Sequence, residues 1–381
     1  PGRTGAAGMT ASDGVSAIRN ARIVGPGQEH LPSDEPVDIH LAGERIVDIA
    51  PAGALPVAGE AIDAQGSWVV PGLWDNHVHT LQWALASERV ALRETASAAD
   101  AAARMATAAP LADGRRIGVG FRDALWPDAP SLPVLDAATG AAPTYLINAD
   151  VHSVWLNSAA LAREGFDSPD GMLREDDAFE ISKRLNAVDP ARGDRAVAAA
   201  GDTPAHACGA TCGVTGLVDF DLAWNADAWR RRVDGGFASQ RVEFAVYPAD
   251  LSRAIAEGLR TGEALGGCDG LVHIGSLKVI TDGSLGTRTA ACSQPYPGEE
   301  ADHGVLNVSP DELVDLLTRA TGSGLGVALH AIGDRAVSSA LDAVTTTGAT
   351  GTIEHAQLVR HADVARIARL GLSASIQPQH A

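Results

Sequence analysis

The sequence predicts an α/β protein: a (β/α)8 TIM barrel whose strand eight is missing from the 381 residues, with a small N-terminal β-sandwich domain and an insertion after barrel strand one. Three observations lead there. Short, almost wholly apolar segments alternate with helix-length segments through the second half of the chain. Short strands broken by tight turns fill the region from about residue 15 to residue 70. A long stretch between the two fits neither pattern.

In chain order, residues 1–14 are expected to be a disordered leader, since the first eight precede a Met and are rich in Gly and Ala. Apolar stretches at Ala21 to Val24, Val37 to Leu41 and Arg45 to Ile49, the last two flanking Gly43, predict small antiparallel strands in an accessory β-domain over 15–70. The run Trp68-Val69-Val70-Pro71-Gly72-Leu73 has the character of a buried strand and leads into Asp75-Asn76-His77-Val78-His79, where the barrel of 71–381 begins. Further barrel strands are predicted at Val214 to Phe220, Val242 to Tyr247, Ile274 to Ile280, Gly326 to Ala331, Gly351 to His355 and Ser373 to Pro378. One connecting helix starts after Ser309, with Pro310 at its first position and acids behind it, and another runs from His361 to a stop at Gly371. With the His77 strand these make seven β units, and an eighth would be expected after Ala381. The stretch from about 80 to 210 is too long for one crossover and reads as an insertion, a source of a lid and of substrate contacts on the active-site face.

Composition excludes several functions. With 29 Lys and Arg against 48 Asp and Glu, a net charge of −19 repels phosphate backbones and anionic lipid. No apolar run approaches the roughly 20 residues that span a bilayer, and the start lacks a secretory pattern. A cytoplasmic protein acting on a small molecule is expected, with no nucleic-acid or membrane partner and with a homodimer as its open assembly state. Cys208 and Cys212 lie close together, but no second pair completes a zinc site, so the four cysteines read as small buried side chains in a reducing compartment.

The chemistry sits at strand ends. On an extended strand His77 and His79 point to the same side and can chelate one ion, although two histidines this close are by themselves a weak signal. His330 ends the strand at Val327 and His355 the strand at Thr352, so four strand-end histidines converge if the strands close into a barrel. Lys278 interrupts an apolar strand, where a charge is costly unless neutralised or paired, with Asp282 as the alternative ion-pair partner.

These residues lie in ordered motifs: Pro71 to His79, Lys278 to Ala290, His330 to Ala336, Ile353 to Gln357, and Ser375 to His380, together with Asp150 to Ala159 in the insertion. In that order, from about residue 20 to the end, they resemble the signatures of amidohydrolase family 3, in the branch that includes N-substituted formamide deformylase. The resemblance implies that His77 and His79 hold one divalent ion and His330 and His355 a second. Zinc is the expected metal, with Lys278 bridging the two ions as a lysine carbamate formed with carbon dioxide. Metal-activated hydroxide would hydrolyse an amide-like C–N bond of an N-acyl or N-formyl amine, with Lys278, His330 and His355 in the catalytic set. His152, Trp155, Asn157, Asp282, Arg288 and His380 would line the substrate pocket. The family's proton-shuttling Asp, at the end of strand eight, is not in this sequence. The gene is therefore expected to continue past Ala381, and the 381 residues alone to be nearly inactive. A deaminase or lactonase on the same site, or a non-catalytic barrel, are the alternatives.

Overall fold

The computed structural model describes residues 15–24, 35–43, 45–86, 88–202, 213–298 and 301–378. The expected leader, Cys208, Cys212 and His380 lie outside the described residues. The chain divides into two compact units, residues 1–73 and 74–381.

The first unit is a small sheet with strand order Arg45–Pro51, Val37–Ala42, Ala17–Ile23, Ala61–Asp63, and Trp68–Val69 pairs in parallel beyond Ala61–Asp63 on the Ala17–Ile23 strand. Alternation of apolar and polar residues turns Ala21, Val37 and Ile39 into its core. Asp38 is buried there and accepts N–H bonds from Asn20 and Gly53, which satisfies a carboxylate that water cannot reach.

The second unit carries a seven-stranded parallel sheet in sequential order: Leu73–Val78, Val214–Asp219, Arg241–Val246, Val272–Ile280, Val327–Ala331, Gly351–His355 and Ser373–Ser375. His77 on the first of these strands hydrogen-bonds Glu354 on the sixth. In a flat sheet those strands would lie far apart, so the sheet curls into a nearly closed barrel. Val272 to Val279 and Val327 to Leu329 supply apolar residues to both faces, as a sheet covered by helices requires. Gly351 shows how closely neighbouring strands approach. At φ 148° its position would put a Cβ 1.8 Å from the Val327 carbonyl oxygen. The helix Pro310–Ser323 begins as expected, with the Ser309 hydroxyl accepting from the Glu312 N–H at 3.3 Å.

One expectation is corrected. The run from Trp68 to Leu73 is not a buried strand: Trp68, Val70 and Leu73 are each more than half exposed. Leu73–Val78 is an edge strand paired only with Val214–Asp219, so most of its outward residues lack a covering neighbour among the described residues.

The insertion is a folded α/β layer of its own. Its sheet runs Met172–Arg174, Ser153–Leu156, Thr144–Asn148, Arg116–Phe121, Val90–Ala91, parallel at one edge and antiparallel at the other. The antiparallel turn at residues 149–152 delivers His152 to the mouth of the barrel.

Candidate metal centre

The register of the sheet decides which side chains meet. Ile280 pairs with His330, His330 with Glu354 and Ala331 with His355, so His330 and Glu354 stand at one level, His355 lies one residue further along its strand, and Lys278 lies one side-chain step below. His77 lies near the end of the first strand and His79 one residue beyond it. Ring centroids lie 5.9 Å apart for His77 and His79, 4.7 Å for His77 and His355, and 4.6 Å for His330 and His355. The structure thus brings all four expected histidines together.

Each has one ring nitrogen engaged by an oxygen. His77 Nδ1 is 2.6 Å from the Glu354 carboxylate, His355 Nδ1 is 2.6 Å from Gln377 Oε1, and His330 Nε2 is 3.2 Å from the Gly283 carbonyl. His79 bonds the backbone at Phe220. Burial pulls the His79 ring down to about 3 and His330 well below its usual range. Burial also lowers His77, against the opposing pull of Glu354. These rings are therefore neutral near pH 7, the state in which imidazole binds a cation. His355 carries φ 72° and Ala356 φ 43°, backbone strain of a kind that clusters at functional sites.

Lys278 is 2% exposed, and its Nζ lies 4.5 Å above the Phe220 ring without a hydrogen-bond partner among the described residues. Burial lowers its amine from 10.5 to about 8, partly offset by Glu354. The alternative ion pair with Asp282 is not formed. The Asp282 oxygens instead accept N–H bonds from Ala291, Ile332 and Gly333 at 2.8–3.0 Å. Asp282 is thus wholly buried, joining two barrel loops with one oxygen 3.7 Å from His330 Nε2, and burial raises it to about 6 against the pull of those three bonds.

The other expected substrate contacts divide. His152 lies at the centre, its ring 5.3 Å from that of His330. Trp155 is fully buried in the insertion core, because its strand is central in that sheet. Asn157 caps the helix Ser158–Glu164 by accepting from the Ala160 N–H, and its amide donates to Thr139, Gly140 and Ala142, so its polar atoms are spent on the fold. Arg288 is exposed, at φ 60°. Glu354 and Glu175, which hold two of the imidazoles, were not singled out from the sequence. Glu354 carries the signal that marked Lys278, a charge inside an apolar strand, whereas Glu175 lies among acids at a helix start and has none.

Nitrogen donors, a buried amine without a partner and neutral imidazoles together form a donor set that suits a divalent transition metal. Among the described residues no three His, Cys, Asp or Glu side chains already converge as a metal-binding group.

A parallel barrel with histidines and a lysine gathered at its strand ends defines the hydrolase class of metal-centred barrels. A family model for the amidohydrolase family matches residues 60–381, and the chain belongs to that family. It is 28% identical over 351 residues to the putative amidohydrolase YtcJ of Bacillus subtilis, covering 84% of this chain and 64% of that protein. It is 27% identical over 356 residues to the protein LONG AFTER FAR-RED 3 of Arabidopsis thaliana, covering 84% and 60%. The chain thus spans about three-fifths of the length of these curated relatives. An uncharacterized metal-dependent hydrolase from Pyrococcus horikoshii shares the fold at TM-score 0.73 and 24% identity, over 95% of this chain and 74% of that one. A second, from Pyrococcus furiosus, gives TM-score 0.68 at 25% identity, over 95% and 77%. Among the described residues no helix is long and apolar enough to cross a membrane.

Proposed function

We propose that this chain carries the barrel of a metal-dependent hydrolase that cleaves the C–N bond of a small amide-like molecule, an N-acyl or N-formyl amine. The observation that carries the reading is the Lys278 amine, buried without a hydrogen-bond partner among the described residues, beneath four strand-end histidines. His77 and His79 would hold one divalent ion, His330 and His355 a second, with zinc suited to the nitrogen donors. Lys278 in its neutral form would add carbon dioxide through a new N–C bond and lose the amine proton, giving an anionic carbamate that bridges the pair. Divalent metal bound there supplies polarisation of a carbonyl and activation of water. The chain's own contribution is to keep His77, His79 and His330 neutral by burial and to orient the rings through Glu354, Gln377 and backbone oxygens.

Metal analysis of the purified chain tests this, with turnover of formanilide and N-acetyl amines by the full-length gene product as the second measurement. One to two ions per chain are expected, with a large loss in His330→Ala, whose side chain serves both metal and chemistry. A chain that binds no divalent ion, or a His330→Ala variant with undiminished metal, would overturn the reading.

A further inference from the structure

The insertion brings a fifth imidazole to the centre. His152 is 6% exposed, and its ring lies 5.3 Å from His330, within the 4.6–5.9 Å range that separates the expected ligands from one another. Like His77, it is held by a carboxylate. His152 Nδ1 lies 2.9 Å from Glu175 Oε2, and a carboxylate on one imidazole nitrogen fixes the proton there and leaves the lone pair of the other nitrogen available.

The structure is built tightly around this contact. Glu175 adopts φ 50°, ψ −120°, a conformation that non-glycine residues avoid unless their surroundings impose it. Its second oxygen, Oε1, accepts from the hydroxyls of Thr287, at 2.9 Å, and Thr289, both in the barrel loop that follows the Lys278 strand. A Cβ at Gly283 would lie 2.0 Å from Thr289 Oγ1 and 2.8 Å from Glu175 Oε1, so that loop closes onto the glutamate only through a glycine. The Ser284 hydroxyl donates to Asp150 at 2.8 Å and fastens the same loop to the turn that carries His152. Strain, a glycine and two threonines thus converge on one carboxylate whose remaining oxygen meets only His152 among these contacts.

We propose that Glu175 is a positioning residue that holds His152 in its Nδ1–H form and thereby adds His152 Nε2 to the metal centre as a further ligand beside His330. The proposal rests on the metal-dependent reading above and assigns the insertion a share of the metal site as well as of the substrate pocket.

Cobalt(II) titration of the chelator-stripped chain, followed by its visible absorption, separates the possibilities without any substrate. His152→Phe keeps the bulk beside Phe179, and Glu175→Gln keeps an acceptor oxygen for Nδ1 but removes the charge. His152→Phe is expected to weaken one cobalt ion about 10- to 100-fold and to shift the absorption band, with Glu175→Gln intermediate. A merely structural role for the pair would leave both readouts unchanged. Wild-type affinity and spectrum in both variants would overturn the proposal and leave the metal reading standing, whereas a wild-type chain that takes up no cobalt would overturn both. If His152→Phe does not fold, Glu175→Gln decides alone.

Discussion

Lys278→Met should stabilise the metal-free protein while destroying its site. Burial holds the Lys278 amine at about 8 in place of 10.5. Each tenfold displacement of a protonation equilibrium is worth about 1.4 kcal/mol, so the displacement amounts to about 3 kcal/mol against the folded state. Because the folded value lies below the unfolded one, the unfolded chain binds the proton more readily. The penalty is full below pH 8, shrinks as pH rises and is gone by about 10.5. Methionine fills much of the same space without a charge, and the lost contact with the Phe220 face gives back about 1 kcal/mol. A net gain of about 2 kcal/mol is therefore expected at pH 7, falling below about 1 kcal/mol at pH 10. Urea denaturation of chelator-stripped protein in carbon dioxide-depleted buffer measures it, with the urea slope expected to be unchanged. A variant less stable than wild type at pH 7, or an equal difference at both pH values, would refute the reasoning.

Three further outcomes follow from contacts around the site. Asp282→Ala leaves three buried N–H groups without an acceptor, at about 1–3 kcal/mol each, so a loss of at least about 3 kcal/mol is expected in urea denaturation; a loss under about 1 kcal/mol would contradict the role given to that carboxylate. Gly351→Ala drives a methyl into the Val327 carbonyl and should give insoluble protein or a loss beyond about 3 kcal/mol, a result that near-native thermal unfolding would exclude. Glu354→Gln keeps the shape beside His77 but weakens the hold on its tautomer, so metal affinity measured by chelator competition should fall about 10- to 100-fold, and unchanged affinity would remove Glu354 from the site.

Much of this was legible in the sequence because buried parallel strands are written in a simple code. Gly351 to His355 was readable to the residue, and the strand at Val327 to within one, since apolar runs bounded by Gly admit few other readings. The Ser309-Pro310 helix start was equally plain, because its capping chemistry is local. The four histidines and Lys278 were legible as strand-end or misplaced polar residues, and curling of the sheet brings them together. Burial of the Trp68 to Leu73 run was misread, because an apolar sequence does not say whether its strand has a neighbour on both sides. The inward turn of Asn157 and Asp282 was also illegible. Each lies in a motif rich in polar residues, and only the fold decides whether such a side chain faces a ligand or an orphaned backbone N–H.

Within these strands, charge marks function more reliably than motif membership does. Lys278, Asp282 and Glu354 all lie at 2% exposure or less, where a charge is costly unless something requires it. Asp282 answers that cost with three backbone bonds and Glu354 with His77 and the Thr352 hydroxyl, whereas Lys278 has no hydrogen-bond partner among the described residues. The same accounting extends to the insertion, where Glu175 has both oxygens engaged yet keeps a strained backbone to reach His152. Satisfied charges of this kind hold other groups in place, and the Lys278 amine is set apart from them by having no hydrogen-bond partner among the described residues. On that division, changes at Asp282, Glu354 or Glu175 should act through the geometry of the imidazoles, and changes at Lys278 through the centre itself.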